Sequence, residues 1–232
     1  MKRVALLLIL ASLIVFGPAL AFAQDKSSTD DKPLPKVVLV GDSIRLSYAE
    51  AVSKHLAGKA IVISPKANGG DSSNVLKHLD AWVIREQPDI VHFNCGIHDT
   101  KKFTATGKFQ VSPEQYEKNL RTIVQRIRTE TGAAVLFATT TPILNNRAAA
   151  TRKGRNYVLL DESVTQYNRI ARKVMRDIDV PINDLHTLLS QPDASQTTET
   201  LIKSDGVHLT HQAVDLLSKQ VAVFVRSHLA RE

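Results

Sequence analysis

The 232-residue sequence contains one cysteine, Cys95. A disulfide within the chain is therefore impossible, and any stable domain must rest on its core instead of covalent staples. Cys95 sits in an apolar, strand-like run, which suits a buried thiol better than a reactive one. Aromatic residues make up only 5%, and no nucleic-acid-binding motif appears. The net charge of +7 comes from basic residues scattered among acidic ones, so charge alone does not indicate a nucleic-acid partner. Beyond residue 23 no apolar run approaches the ~20 residues needed to cross a bilayer. His92, His98, His186, His208 and His211 never fall at a recognised metal-ligand spacing with a cysteine or second histidine. Neither a metal nor a cofactor is expected, and there is no internal repeat.

The N-terminus has a distinct layout. Met1-Lys2-Arg3 is basic, Val4 to Phe16 is apolar apart from Ser12, and Gly17-Pro18 breaks the run. Ala21-Phe22-Ala23 supplies a small-x-small cleavage pattern. Residues 1–23 thus read as a secretory signal peptide, with a secreted or periplasmic destination and no stable membrane insertion after cleavage. Residues 24–35 are polar and punctuated by proline, as in a flexible leader. Residues 36–232 are long enough for one domain with a sizeable core.

Within that domain, short β-branched runs alternate with helical periodicities. Strands are expected at Lys36–Gly41, Ala60–Ile63, Asp89–Asn94, Ala133–Thr141 and Val180–Asn183. Helices are expected at Ile44–Leu56, Ser72–Ile84, Pro113–Thr129, Glu162–Arg176 and Thr210–Leu229. In the third of these, Tyr116, Leu120, Ile123, Val124 and Ile127 form one stripe and Pro113 opens the first turn, a favoured position for proline. Such alternation implies a mainly parallel sheet covered by helices on both faces. Sites in such sheets form where strand C-termini meet the loops that follow.

The chemistry-bearing residues gather at those ends. Gly41-Asp42-Ser43-Ile44 places a serine between an apolar strand and a helix, where the backbone N–H groups favour a developing oxyanion. The same tetrapeptide also serves as a plain helix cap. Near the other end lies Asp205-Gly206-Val207-His208. A serine hydroxyl is a weak nucleophile without an adjacent base; histidine supplies one, and a carboxylate fixes its tautomer. Gly70 after the second strand can offer an open backbone N–H, and His98 after the third can offer a ring N–H.

Taken in order, these residues resemble the SGNH hydrolases. The four motif blocks of that family are a GDS-containing strand end, a glycine turn, a G-x-N-D segment and a C-terminal D-x-x-H. They correspond here to Gly41-Asp42-Ser43, Gly70, Gly96-Ile97-His98-Asp99 and Asp205-Gly206-Val207-His208. The resemblance implies a three-layer α/β/α sandwich of flavodoxin-like type and a Ser43–His208–Asp205 triad for ester hydrolysis. It implies oxyanion donors at the Ser43 and Gly70 amides and at the third block. There His98 replaces the family asparagine. A neutral imidazole has one N–H to give, while losing an oxyanion donor outright costs about a hundred- to a thousandfold in rate.

The expected substrate is a small-molecule or carbohydrate acyl ester, with O-acetyl groups on carbohydrate among the candidates. Acyl transfer to a glycan, or a non-catalytic glycan-binding module on the same fold, are the alternative readings. Two loops, 100–112 and 144–156, are expected to border the entrance. They carry Lys101, Lys102 and Lys108, and Arg147, Arg152, Lys153 and Arg155.

Overall fold

A computed structural model describes residues 33–193 and 195–229; residues 1–32, with the expected signal peptide and most of the leader, lie outside them. Seven strands and nine α-helices follow one another among the described residues. In chain order they are β1 (Lys36–Val40), α1 (Ser43–His55), β2 (Ile61–Ile63), α2 (Ser72–Lys77), α3 (Leu79–Trp82) and β3 (Ile90–Phe93). Then come β4 (Lys102–Phe103), α4 (Pro113–Thr131), β5 (Ala134–Ala138), α5 (Asn145–Thr151) and β6 (Tyr157–Val158). The chain continues through α6 (Asp161–Asp177), β7 (Ile182–Asn183), α7 (Leu185–Ser190), α8 (Thr198–Leu201) and α9 (His211–Arg226).

The main sheet is parallel throughout, in the order β2-β1-β3-β5-β7. Alternation along the strands divides the core in two. Val37 and Leu39 of β1 face one side with Leu136 of β5, against α1 and α9. Val38 and Val40 face the other with Val91, Phe93, Val135 and Phe137, against α2, α3, α4 and α6. Both faces of β1 are therefore dry, which is why its sequence is continuously apolar. Each such Val or Leu contributes about 1.5–3 kcal/mol by leaving water. The chain runs outward in opposite directions from β1 and β3, so the crevice between their C-terminal ends is the topological switch point, where ligands bind in open α/β sheets.

Two expectations need correcting. The helix expected over Ser72–Ile84 is broken. At His78 the backbone leaves helical geometry (φ −105°, ψ 9°), while the His78 ring bonds back to the Asn74 carbonyl at 3.0 Å and stacks on Trp82. A 3₁₀ turn at Ile84–Glu86 completes the segment. The apolar spacing survives the break, since Val75, Leu79 and Val83 are all buried. The second correction concerns the two loops. They carry β4 and α5, and with β6 just beyond they join in an antiparallel ribbon that pairs Lys102 with Val158 and Phe103 with Tyr157. Elsewhere the boundaries shift by a few residues at most, as where Gly132 (φ 73°) ends α4 at Thr131.

Candidate active site

Ser43 is the first residue of α1, two positions past Gly41. Asp42 caps the helix, its Oδ1 accepting the Ile44 N–H at 2.9 Å. Burial raises the Asp42 carboxyl above its ordinary range, and its Oδ2 is buried without a partner. Gly41 is required by closeness and not by torsion: a Cβ there would lie 2.0 Å from Asn94 Oδ1 and 2.8 Å from the Arg45 Cβ. The Ser43 N–H has no partner among the described residues, as befits the first turn of a helix.

Arg45, fully buried in α1, fastens the neighbouring loop to this elbow. Its guanidinium donates to Gly41 O (2.9 Å), Ala67 O (2.8 Å), Pro65 O (2.7 Å) and Ser64 Oγ (2.7 Å). The Gly69 N–H adds a 2.9 Å bond to the same Gly41 carbonyl. Gly70 follows in left-handed backbone (φ 63°), and its N–H donates to Asn68 Oδ1 at 2.9 Å.

The third block is anchored through Asp99. Its Oδ1 accepts from the Ser72 N–H (2.9 Å) and the Ser72 hydroxyl (2.5 Å), and Asn119 Nδ2 donates to that hydroxyl oxygen at 2.9 Å. Burial pushes the Asp99 carboxyl up to about 7 despite these bonds. His98, one residue earlier, is half-buried, and its ring makes no hydrogen bond to a described residue. Burial, then the charge of Lys101, pulls His98 down to about 4, so its imidazole is neutral at ordinary pH.

His208 closes the arrangement from the other side of the crevice. Its Nε2 lies 3.0 Å from Ser43 Oγ, and its Nδ1 lies 2.5 Å from Asp205 Oδ2. Asp205 Oδ1 also accepts the Val207 and His208 N–H groups, each at 2.9 Å. Partial burial would raise the Asp205 carboxyl, but these amides and the imidazole outweigh it and bring it down to about 2. Residues 165 positions apart thus form one hydrogen-bonded line of Ser43, His208 and Asp205.

The turn carrying Asp205 is clamped by α5. The Leu144 N–H donates to Gly206 O at 2.9 Å, and Arg152 Nη1 donates to Asp205 O at 2.8 Å. Gly206 has φ 76°, and a Cβ on it would meet Ala148 N at 2.4 Å. Arg147 donates to Glu199 O and Ile202 O, both at 2.8 Å. Two of the four loop arginines and lysines expected at the entrance after β5 are therefore bound to backbone carbonyls.

Sequence reasoning missed the roles of Arg45, Asp99 and Arg152. An arginine on the apolar stripe of α1, between Ile44 and Tyr48, was a readable signal for the first. Asp99 stood inside the quoted motif. Nothing local marks Arg152. Cys95 is buried, and burial pushes its thiol well up. Among the described residues no three His, Cys, Asp or Glu side chains converge as metal ligands.

The model of the GDSL-like lipase/acylhydrolase family matches residues 38–216, from β1 into α9. This chain belongs to that family. It is an enzyme, a carboxylic ester hydrolase of the SGNH type. Comparison with curated proteins gives no match. Among solved structures, it is similar to a lipase/acylhydrolase from Enterococcus faecalis, with TM-score 0.70 and 20% identity over 86% of this chain and 99% of that one. An acetylxylan esterase from Geobacillus stearothermophilus gives TM-score 0.64 and 15% identity over 84% and 95%. A GDSL-like lipase from Bacteroides thetaiotaomicron gives 0.63 and 14% over 84% and 89%. At these identities the likeness establishes a shared fold.

Proposed function

We propose that this chain is an exported serine esterase that removes short acyl groups, O-acetyl groups on carbohydrate among them. The observation that carries the reading is the 3.0 Å approach of Ser43 Oγ to His208 Nε2, with Asp205 2.5 Å behind the ring. In this mechanism Ser43 Oγ attacks the ester carbonyl while His208 Nε2 takes its proton. Asp205, ionised at any pH well above 2, holds the Nδ1–H tautomer and stabilises the imidazolium.

The tetrahedral oxyanion is held by the Ser43 N–H and the neutral His98 ring N–H. The Gly70 N–H joins them by leaving Asn68 Oδ1. Collapse expels the alcohol, which takes the proton from His208. Water then attacks the acyl-enzyme, giving its proton to the same Nε2, and Ser43 is released with the free acid.

Support for a short acyl group comes from the entrance, where charged residues and no long apolar stretch follow the third and fifth strands. The acetylxylan esterases among the similar solved structures agree with a carbohydrate carrier. Export rests on the layout of residues 1–23, with a secreted or periplasmic location following from it.

The test is hydrolysis of p-nitrophenyl acetate, butyrate and octanoate by the chain from Gln24 onward and by its Ser43→Ala variant. Turnover that falls with acyl length and disappears in the variant is the expected result. Equal rates in the two proteins would remove Ser43 from the mechanism.

A further inference from the structure

The two loops that the sequence placed at the entrance are joined into a bridge between the His98–Asp99 segment and the Asp205 turn. The first leaves directly from His98 and Asp99, to which it is tied by Lys101 N–H to His98 O and Val111 N–H to Asp99 O, each 3.3 Å. The second opens with the α5 clamp on Asp205 and Gly206. Between them runs the β4–β6 ribbon, extended by Thr104 N–H to Asn156 O at 3.0 Å.

The bridge is built almost wholly of cations and neutral residues. Neither 100–112 nor 144–156 contains an aspartate or glutamate. Arg147 and Arg152 are consumed by carbonyls, which leaves Lys101, Lys102, Lys108, Lys153 and Arg155. None of these five joins an ion pair among the described residues. On the helices, some basic side chains are ion-paired, as in Lys54–Glu50, Arg126–Glu130, Lys173–Asp177 and Lys219–Asp215. Of the carboxylates around the bridge, Asp71 is engaged by Gln110 and the Asn74 N–H, Asp99 by Ser72 and Asp205 by His208, while Glu162 accepts from Asn145 of the second loop at 3.0 Å.

Two of the free ammonium groups are also held in place by rings. Lys101 Nζ lies 5.3 Å from the Tyr157 ring centroid, and Lys102 Nζ lies 5.8 Å from that of Phe109. Cation–π contacts of this kind are worth about 0.5–1 kcal/mol at exposed sites, and they reduce the ordering cost of meeting an anion. Positive charge collected beside a crevice raises the local concentration of an anionic substrate.

From this we infer that the acyl ester is carried on an acidic polysaccharide, whose carboxylates lie along the β4–β6 ribbon while an O-acyl group enters the crevice at Ser43. The inference rests on the esterase reading above and adds the charge of the carrier. Cations distributed over several segments suit a polymer with repeated carboxylates, which engages more than one at a time.

The experiment compares acetate release from O-acetylated polygalacturonate and from O-acetylated glucomannan, which is neutral, each normalised to p-nitrophenyl acetate turnover by the same preparation. The expected kcat/KM for the acidic polymer is at least about tenfold higher at low salt. That advantage should shrink toward unity near 1 M salt, where the Debye length is about 3 Å. A Lys102→Gln, Lys108→Gln, Lys153→Gln, Arg155→Gln variant should lose the advantage in its normalised ratio. The salt titration on unmodified protein reads the same effect without relying on the variant's folding.

Equal kcat/KM on both polymers, an advantage that resists salt, or failure to attack either polymer while p-nitrophenyl acetate turns over would each overturn the inference. No p-nitrophenyl acetate turnover at all would instead strike the esterase reading beneath it.

Discussion

His92 offers a test of the core through pH. It lies on β3, flanked in register by Leu39 of β1 and Leu136 of β5, and it is fully buried. Its Nε2 meets Asn183 Nδ2 at 3.3 Å, while its Nδ1 has no partner. Burial pulls its pKa down from 6.5 to about 4. Between those values the unfolded chain binds a proton that the folded protein refuses, so stability is lost as pH falls from 6.5 toward 4. At 1.36 kcal/mol per pH unit, lowering the pH from 7.5 to 5.0 costs about 2 kcal/mol through this residue alone.

The raw pH curve will not display that loss cleanly. Asp99, with its carboxyl raised to about 7, acts in the opposite sense, because the folded protein holds a proton there that the unfolded chain releases above 3.8. The measurement must therefore be a difference. His92→Leu removes the titration and leaves Asp99 and His98 in both proteins. It also strands Asn183 Nδ2, at a cost of about 1–3 kcal/mol that does not depend on pH. Urea denaturation of both proteins at pH 7.5 and 5.0 gives four unfolding free energies. The stability gap between wild type and variant should move by about 2 kcal/mol in the variant's favour at the lower pH. A gap unchanged between the two pH values would refute the reasoning, since it would mean that His92 takes up its proton in the folded state as readily as in the unfolded one.

Two further predictions concern the site. Arg152→Ala should lower kcat on p-nitrophenyl acetate about tenfold or more with little change in KM, because misplacing a catalytic group carries such costs. A parallel rise in KM, or no change in kcat, would show that the Asp205 turn is held without it. His98→Ala should lower kcat about a hundred- to a thousandfold, while His98→Asn, which restores an N–H donor, should recover most of that loss. Equal activity in the alanine variant would remove His98 from the oxyanion site.

Much of this protein was readable from local pattern. The strands around Val38, Val91 and Val135 are apolar on both faces because both faces are covered, and the α4 stripe from Tyr116 to Ile127 repeats at helical spacing. Such signals need only neighbours along the chain. Motif order then placed Ser43, Gly70, His98 and the Asp205–His208 turn at strand and loop ends. The broken helix at His78 was not legible, because its cause is a side chain bonding to its own backbone while the apolar spacing continues unbroken.

The remaining decisions belong to the tertiary structure, since they are made between residues far apart in sequence. Hydrogen bonds from one guanidinium to four oxygens around Gly41 and Ala67, or from Arg152 to a carbonyl 53 positions on, have no periodicity to betray them. The same holds for the 2.0 Å reason that position 41 must be glycine. Sequence alone therefore determined which candidate side chains were present and at which strand ends they lay. Folding decided which positive charges are consumed in holding the Asp205 turn and which remain without a partner, because only packing brings each cation to a carbonyl or leaves it without one.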